Sequence, residues 1–341
     1  MEYLGDVWFI VWGLLWGIYF ALDGYDFGIG LLAPVIGLSR TESAAMHQAT
    51  GPFWDGNEVW LITAGGVTFA AFPVAYAVLF SSLYTPLMLL LLALILRGAA
   101  AEFRHQFQDG RWLFFWDLTL AGCGFLAALL LGVAFSNIFR GLPLDADQVF
   151  QGNILNLLHP YALLGGLLFV LMFVYHGAVY LAEWVTGDLS VKAALAAKLS
   201  WPAFMLCFLL YVILTFFWVG FWDRYLASPL MFCLPVACLA AFLASGWQLY
   251  LTGHLKKAFL YNGLGIICLA LTGVMGIYPN LIPSRLDPLG AVTIAKAASS
   301  PKVLLIMLVV AIIFVPAVIA YQWWAHRRLA EKIHSDYYLK A

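Results

Sequence analysis

The chain has 341 residues, of which 64% are hydrophobic and only 10% are charged, and its formal net charge is −1. A soluble domain typically has about a quarter of its residues charged, so this composition excludes a protein whose whole surface faces water. The near-neutral charge gives no basic field for nucleic acid, and no nucleic-acid partner is expected.

Apolar runs of about 20 residues recur along the chain, and this is the length of a helix that crosses a bilayer. The sequence therefore predicts an all-α polytopic membrane protein with a single integral membrane domain over residues 1–341. We expect about nine transmembrane helices, arranged as two four-helix bundles plus one peripheral helix. The predicted spans are roughly 7–36, 58–80, 83–97, 113–136, 158–182, 201–221, 229–250, 258–276 and 303–325.

The loops on the two predicted faces differ in positive charge, with twelve Lys and Arg on one face and five on the other. Cytoplasmic loops are the richer ones, so we expect the N-terminus outside and the C-terminus in the cytoplasm. Arg97 and Arg104 are expected to be solvated, as are Glu102 and Glu183. The richer face carries Arg40, Arg97, Arg104, Arg111, Lys192, Lys198, Lys256, Lys257, Arg327, Arg328, Lys332 and Lys340.

Two carboxylates interrupt the first predicted span, in the stretch FALDGYDFGIGLL. Asp23 and Asp26 are three residues apart and share one helix face. A buried acid costs about 2.5–3.5 kcal/mol, and two close like charges disfavour joint ionisation, so the pair is suited to taking up and passing on protons. Gly24 and Gly28 would let a neighbouring helix approach closely. The alternative is solvation of both acids near the cytoplasmic interface.

A second polar cluster precedes the next span, in GPFWDGNEVWLITAGG. Asp55, Asn57 and Glu58 lie between Trp54 and Trp60. Capping of the helix N-terminus would explain Asp55 alone but not the three polar residues together. The cluster therefore favours a path for protons or for a quinol headgroup.

Histidine is the residue type that would reveal a haem site, and only His176 lies well inside a predicted span. A haem held by two histidines in a helical bundle needs a second one on a facing helix. We therefore predict that this chain ligates no cofactor, with His176 as the one residue that could do so. The five cysteines show no metal-ligand spacing, and no metal site is expected.

Several motifs together resemble subunit II of the cytochrome bd quinol oxidases. They are ALDGYDFGIG, GPFWDGNEVWLITAGG, FAAFPVAYA, WDLTLAGCGFLAALLLGVAFSN and GIYPNLIPS, and the resemblance covers nearly the whole chain. It implies a complex of the bacterial inner membrane that oxidises quinol, reduces O2 to water and generates a proton motive force without pumping. It also implies that subunit I holds two b haems and haem d, and that this chain stabilises subunit I.

The resemblance further implies that acids of this chain form a proton path from the cytoplasm, and no residue of the chain is expected to be catalytic. Asp55 is the first candidate for that path, Asp23 and Asp26 are the second, and Glu58 is the third. Trp54, Asn57 and Trp60 are expected to support the path.

Three further matters stay open at this point. One is whether a structural quinone or a lipid binds this chain, and another is whether a small single-span accessory subunit joins the complex. The third is an alternative function, a secondary transporter coupled to protons through Asp23 and Asp26. Such transporters typically have interrupted helices near the midplane in both halves, and the sequence shows no clear ones.

Overall fold

The computed structural model describes residues 3–220, 222–227, 229–329 and 333–334. Lys332 and Lys340, which were counted in the charge comparison, lie outside these residues. The α-helices are α1 Leu4–Ile36, α2 Arg40–Thr50, α3 Trp54–Ala71, α4 Pro73–Ser82, α5 Tyr84–Phe103, α6 Gly110–Arg140, α7 Ile154–Leu157, α8 Pro160–Trp184, α9 Asp188–Trp218, α10 Trp222–Ala227, α11 Cys233–Trp247, α12 Leu255–Ile277, α13 Ile294–Ala297 and α14 Pro301–Leu329.

Short segments of other structure join these helices. Two pairs of short strands are present: β1 (Val185–Thr186) runs parallel to β4 (Ile333–His334), and β2 (Asn280–Ile282) runs antiparallel to β3 (Val292–Thr293). A π-helical turn follows α11, and 3-10 turns lie at Arg104–Gln106, Pro229–Phe232 and Pro288–Gly290.

The membrane architecture predicted from the sequence is confirmed in outline. Among the described residues, eight helices are long and apolar enough to cross a membrane, and the number reaches nine if α3 and α4 count as one span. The chain is therefore a multi-pass membrane protein. The grouping into two four-helix bundles and one peripheral helix stays a prediction.

The second predicted span differs from the structure, which bends by 120° between α3 and α4 where 58–80 was expected to be continuous. The bend falls at Phe72, directly before Pro73 at the start of α4. Proline cannot donate a helix hydrogen bond, and it disfavours the helical conformation in the residue before it. The sixth span also begins earlier than predicted, at Asp188. Three charged residues near its start lower the hydropathy there, so the prediction began the span too late.

Contacts between distant segments define the two ends of the helices. At one end, here called the α2 end, Lys192 at the start of α9 donates to Glu42 of α2 over 2.6 Å. His326 near the end of α14 stacks on Phe53 there, with ring centroids 3.9 Å apart. At the opposite end, Tyr278 donates to Asp6 near the start of α1 over 3.0 Å. The first turns of α1 and the last turns of α14 therefore lie at different ends.

The first span, α1, is the centre of the packing, and α3, α6, α8 and α12 all contact it. It meets α8 so closely that a Cβ atom at Gly28 would lie 1.8 Å from the backbone oxygen of Phe173. A Cβ atom at Gly24 would lie 2.6 Å from the Phe173 ring. The predicted close approach at these two glycines is confirmed, and it places the carboxylates of α1 inside the protein.

Gly28→Ala is expected to destabilise the protein by about 1–3 kcal/mol, because the added methyl overlaps backbone that cannot move alone. Gly122→Ala is the matched control, since Gly122 also lies inside a long helix and has no atom within 4 Å of its Cβ position. The measurement is the apparent melting temperature of each purified variant in detergent. Equal melting temperatures for the two variants would contradict this account of the α1–α8 contact.

Candidate functional site

A buried ion pair joins α1 to α5. Arg97 donates through Nη2 to Asp23 Oδ1 over 2.7 Å and through Nη1 to Asp23 Oδ2 over 3.1 Å. Both side chains are at most 5% exposed. The guanidinium also lies 4.4 Å above the ring of Phe27. The pairing is bidentate, which is the geometry that best matches a planar guanidinium to a carboxylate.

The expectation that Arg97 is solvated is therefore wrong. The predicted span ended at this residue, whereas α5 continues to Phe103 and so places Arg97 more than a turn inside the helix. The apolar part of an arginine side chain is usually long enough for the guanidinium to reach water. Here the guanidinium is paired with Asp23 in the interior instead.

Two further carboxyl groups belong to the same cluster. Glu58 of α3 accepts a hydrogen bond from Arg97 Nη1 over 2.8 Å. Asp26 Oδ2 lies 3.9 Å from Arg97 Nη2 and accepts from Asn57 Nδ2 over 2.7 Å. Asn57 also donates to the hydroxyl of Tyr25 over 2.8 Å, which fixes the amide between two residues of α1.

Charge counting constrains how this cluster can ionise. Asp23, Asp26 and Glu58 surround a single guanidinium, so the cluster is neutral only when two of the three carboxyls hold a proton. An uncompensated charge in an apolar interior is costly, which favours the neutral form. The arrangement can therefore hold protons that move between carboxyl groups around a fixed cation.

The first candidate from the sequence, Asp55, lies outside this cluster. It is exposed in the first turn of α3, and the cap residue of that helix is Phe53, with no side-chain cap. The capping interpretation of Asp55 is therefore wrong. Asp55 lies one turn before Glu58, so the two share a helix face that runs from the surface to the cluster.

The two tryptophans of the motif have different contacts. Trp60 donates to the side-chain oxygen of Gln322 over 3.1 Å, and Gln322 donates back to the Gly56 carbonyl over 3.0 Å, which ties α14 to α3. Trp54 packs against α5, where a Cβ atom at Gly98 would lie 3.5 Å from its ring. Both therefore hold neighbouring helices around the start of α3.

His176 is buried and fully engaged. Its Nε2 is 3.0 Å from the Ala21 carbonyl, its Nδ1 is 3.0 Å from Asn262 Nδ2, and its ring stacks on Phe259. The amide can donate to Nδ1 only if that nitrogen carries no proton, so Nε2–H donates to the carbonyl. With both nitrogens used, the residue does not fit a haem ligand. In the described part of the chain, no group of three or more His, Cys, Asp or Glu could hold a metal ion.

A second polar cluster, which the sequence reasoning missed, links α2 and α6 to the 3-10 turn Arg104–Gln106, which directly follows α5. Arg104 donates to Asp117 Oδ1 over 2.5 Å and to Ser43 Oγ over 2.6 Å, and Ser43 donates to Asp117 Oδ2 over 2.9 Å. Arg104 is buried, so the expectation that it is solvated is also wrong. The available signal was Asp117 itself, a lone acid within an otherwise apolar run.

His47 of α2 completes this second cluster. Its Nε2 lies 2.7 Å from Asp117 Oδ1. Burial is the largest influence and lowers the pKa of His47 below its usual value, and the nearby Arg104 guanidinium acts in the same direction. The contact with Asp117 acts in the opposite direction. Arg104 supplies a fixed positive charge beside the same carboxylate.

Comparison with known proteins identifies the family to which this chain belongs. The sequence profile of the family described as cytochrome bd terminal oxidase subunit II matches residues 4–329. The chain belongs to this family. Cytochrome bd-I ubiquinol oxidase subunit 2 of Escherichia coli strain K12 is 30% identical, over 98% of this chain and 96% of that relative. Cytochrome bd ubiquinol oxidase subunit 2 of Bacillus subtilis strain 168 is 32% identical over 96% of each.

The fold agrees with that of a solved bd oxidase. A chain of the bd oxidase from Geobacillus thermodenitrificans superposes with a TM-score of 0.79, at 18% identity, over 96% of this chain and 98% of that one. As a cytochrome bd subunit II, the chain is part of a quinol oxidase complex, an oxidoreductase that includes a subunit I and haems. Family membership thus favours the oxidase over the proton-coupled transporter.

Removing the guanidinium of Arg97 from the first cluster should lower the stability of the protein. Arg97→Met is expected to destabilise this subunit II by about 3–5 kcal/mol, because it leaves the ionised carboxyl of the cluster buried without its countercharge. The double variant Arg97→Met/Asp23→Asn should recover part of that loss, since it also removes the main acid partner. Melting temperatures of the purified complexes provide the measurement. A double variant less stable than Arg97→Met alone would argue against a charge-balanced cluster.

Proposed function

We propose that this subunit II delivers protons from the cytoplasm to the oxygen-reducing site of subunit I. The path begins at Asp55, continues to Glu58, and reaches Asp23 and Asp26 around Arg97. The observation that carries the proposal is the buried cluster itself, in which one guanidinium holds two acids of α1 and one of α3 within 3.9 Å. Asn57 orients Asp26, while Trp54 and Trp60 hold α5 and α14 in place.

The proposal sets the α2 end of the helices at the cytoplasmic face of the bacterial inner membrane. Without the buried Arg97 and Arg104, the described residues at this end still include eight Lys and Arg against five at the other, and cytoplasmic loops are the richer ones. The N-terminus then lies outside and the C-terminus in the cytoplasm. Protons for water come from the cytoplasm while quinol is oxidised at the outer face, so turnover generates a proton motive force without pumping.

Subunit I would cover the exposed face of α3. Asp55, Val59 and Ile62 lie on one side of this helix, at spacings of four and three residues, and all three are exposed. Contact with subunit I along this face would bring Asp55 into the complex. In the proposal, subunit I binds the two b haems and haem d, and subunit II holds no haem because His176 has no free nitrogen.

Oxygen consumption by the complete complex tests the path. Asp26→Asn is expected to slow turnover by about tenfold or more, and Asp55→Asn by a smaller factor, because an amide cannot relay a proton as a carboxyl group does. Haem content and assembly should stay unchanged in both variants.

Asp188→Asn is the control for this test, since Asp188 is an exposed acid at the same end of the helices but on α9. Parental rates in both Asp26→Asn and Asp55→Asn, with intact haem spectra, would rule out a proton path through this subunit.

A cavity of about 240 Å³ supports a second role, the binding of a structural quinone. It lies among α6, α9, α11 and α12, and its wall is almost entirely apolar, with Tyr211 and Thr215 contributing hydroxyl groups. Tyr211 is hydrogen-bonded to Ser136 over 2.9 Å. An apolar cavity with a few convergent polar groups is typical of a site for an apolar ligand with a polar head.

Leu239→Trp should lower the amount of quinone that co-purifies per haem, because Leu239 lines this cavity and the larger ring fills it. Leu243→Trp is the matched control on the same helix, at an exposed position that does not line the cavity. Solvent extraction and chromatography of the purified complexes give the quinone content. Recovery of lipid alone from the parent complex would contradict a quinone site.

A further inference from the structure

We propose that a water-filled cleft between α2 and α5 is a second proton entrance to Asp26, separate from Asp55. This α2–α5 cleft is lined by Asp26, His47, Arg97, Ala101, Glu102 and His105. The proposal rests on the proposed proton path, because it concerns how protons reach the acids of that path.

The cleft connects the surface with the buried cluster. Glu102 and His105 are exposed at the α2 end, whereas Asp26 and Arg97 at the other extreme of the lining are each 4% exposed. The cavity volume is about 100 Å³. A cavity measured in this way needs about 10–15 Å³ to hold one water molecule, so the space has room for several. Asp55 is not among the residues that line it.

At the inner end of the cleft, one carboxyl oxygen of Asp26 is placed to bind a water molecule. Asp26 Oδ2 accepts from Asn57, but Asp26 Oδ1 is buried and has no hydrogen-bond partner in the part of the chain that the structure describes. Buried polar atoms are almost always hydrogen-bonded, to protein or to an ordered water. A water molecule in the cleft would give this oxygen its partner, and the same contact would let a proton pass to the carboxyl group.

The walls of the cleft are held open by the second polar cluster. His47 lines the cleft and is fixed through Asp117, which Arg104 also binds from the 3-10 turn directly after α5. This ties α2 to α6 and to the turn after α5 without filling the space between them. Small residues at two wall positions, Gly30 of α1 and Ala101 of α5, leave the volume free.

Plugging the cleft without removing any ionisable group tests the entrance. Ala101→Phe should slow oxygen consumption by the complete complex about threefold or more, with haem content unchanged. Ile95→Phe is the matched control on the same helix, because Ile95 is exposed and does not line the cleft. In an Asp55→Asn background, Ala101→Phe should reduce the rate to that of Asp26→Asn, since both entrances are then closed.

Chemical accessibility gives an independent measurement if Ala101→Phe fails to assemble. In Ala101→Cys, a charged membrane-impermeant thiol reagent added from the cytoplasmic side should inhibit turnover. The parent complex, with its five cysteines in this chain, provides the background. Parental rates in Ala101→Phe together with no added inhibition of Ala101→Cys overturn the second entrance, and slow turnover in Asp26→Asn then leaves the proposed path standing. Parental rates in both Asp26→Asn and Asp55→Asn overturn the path and the second entrance together.

Discussion

The guanidinium of Arg97 connects three helices, because it lies on α5 and its carboxylate partners lie on α1 and α3. A buried ion pair contributes little net stability compared with well-packed apolar side chains, since desolvation offsets most of the attraction. What it does provide is a fixed positive charge in an apolar interior. Around that charge, carboxyl groups can remain in the interior of a membrane protein.

Two features keep this charge in place. The backbone contact at Gly28 fixes α1 against α8, so the two acids of α1 cannot shift relative to the core. The cluster of Ser43, Arg104 and Asp117 closes the same end of the helices by joining α2 and α6 to the turn directly after α5. Between these two anchored regions lies the α2–α5 cleft, whose shape depends on both.

Much of this organisation could be predicted from the sequence. Hydropathy identified the spans, because a helix must be apolar over about 20 residues to cross the bilayer. Motif resemblance identified the family. The polar residues predicted to act together do lie in one cluster around Arg97: Asp23, Asp26, Asn57 and Glu58. Their role in proton transfer stays a prediction.

Other features of the structure were not predicted from the sequence. The buried positions of Arg97 and Arg104 depend on partners 74 and 13 residues away in sequence, and a charge count assigns such residues to loops. Asp117 was visible as an isolated acid, but its three partners, Ser43, His47 and Arg104, lie on other elements. The bend at Pro73 was not predicted because the sequence stays apolar on both sides of it, although a proline permits a bend at this position.

The separation of 74 residues between Asp23 and Arg97 also bears on biosynthesis. At synthesis rates of about 5–20 residues per second, the ribosome makes the arginine roughly 4–15 s after the aspartate. During that interval the first span has its two acids without the cation that balances them in the finished protein. The nascent helix must therefore keep these acids uncharged or in contact with water until α5 arrives. The pairing of charges between α1 and α5 therefore forms only after both helices have been made.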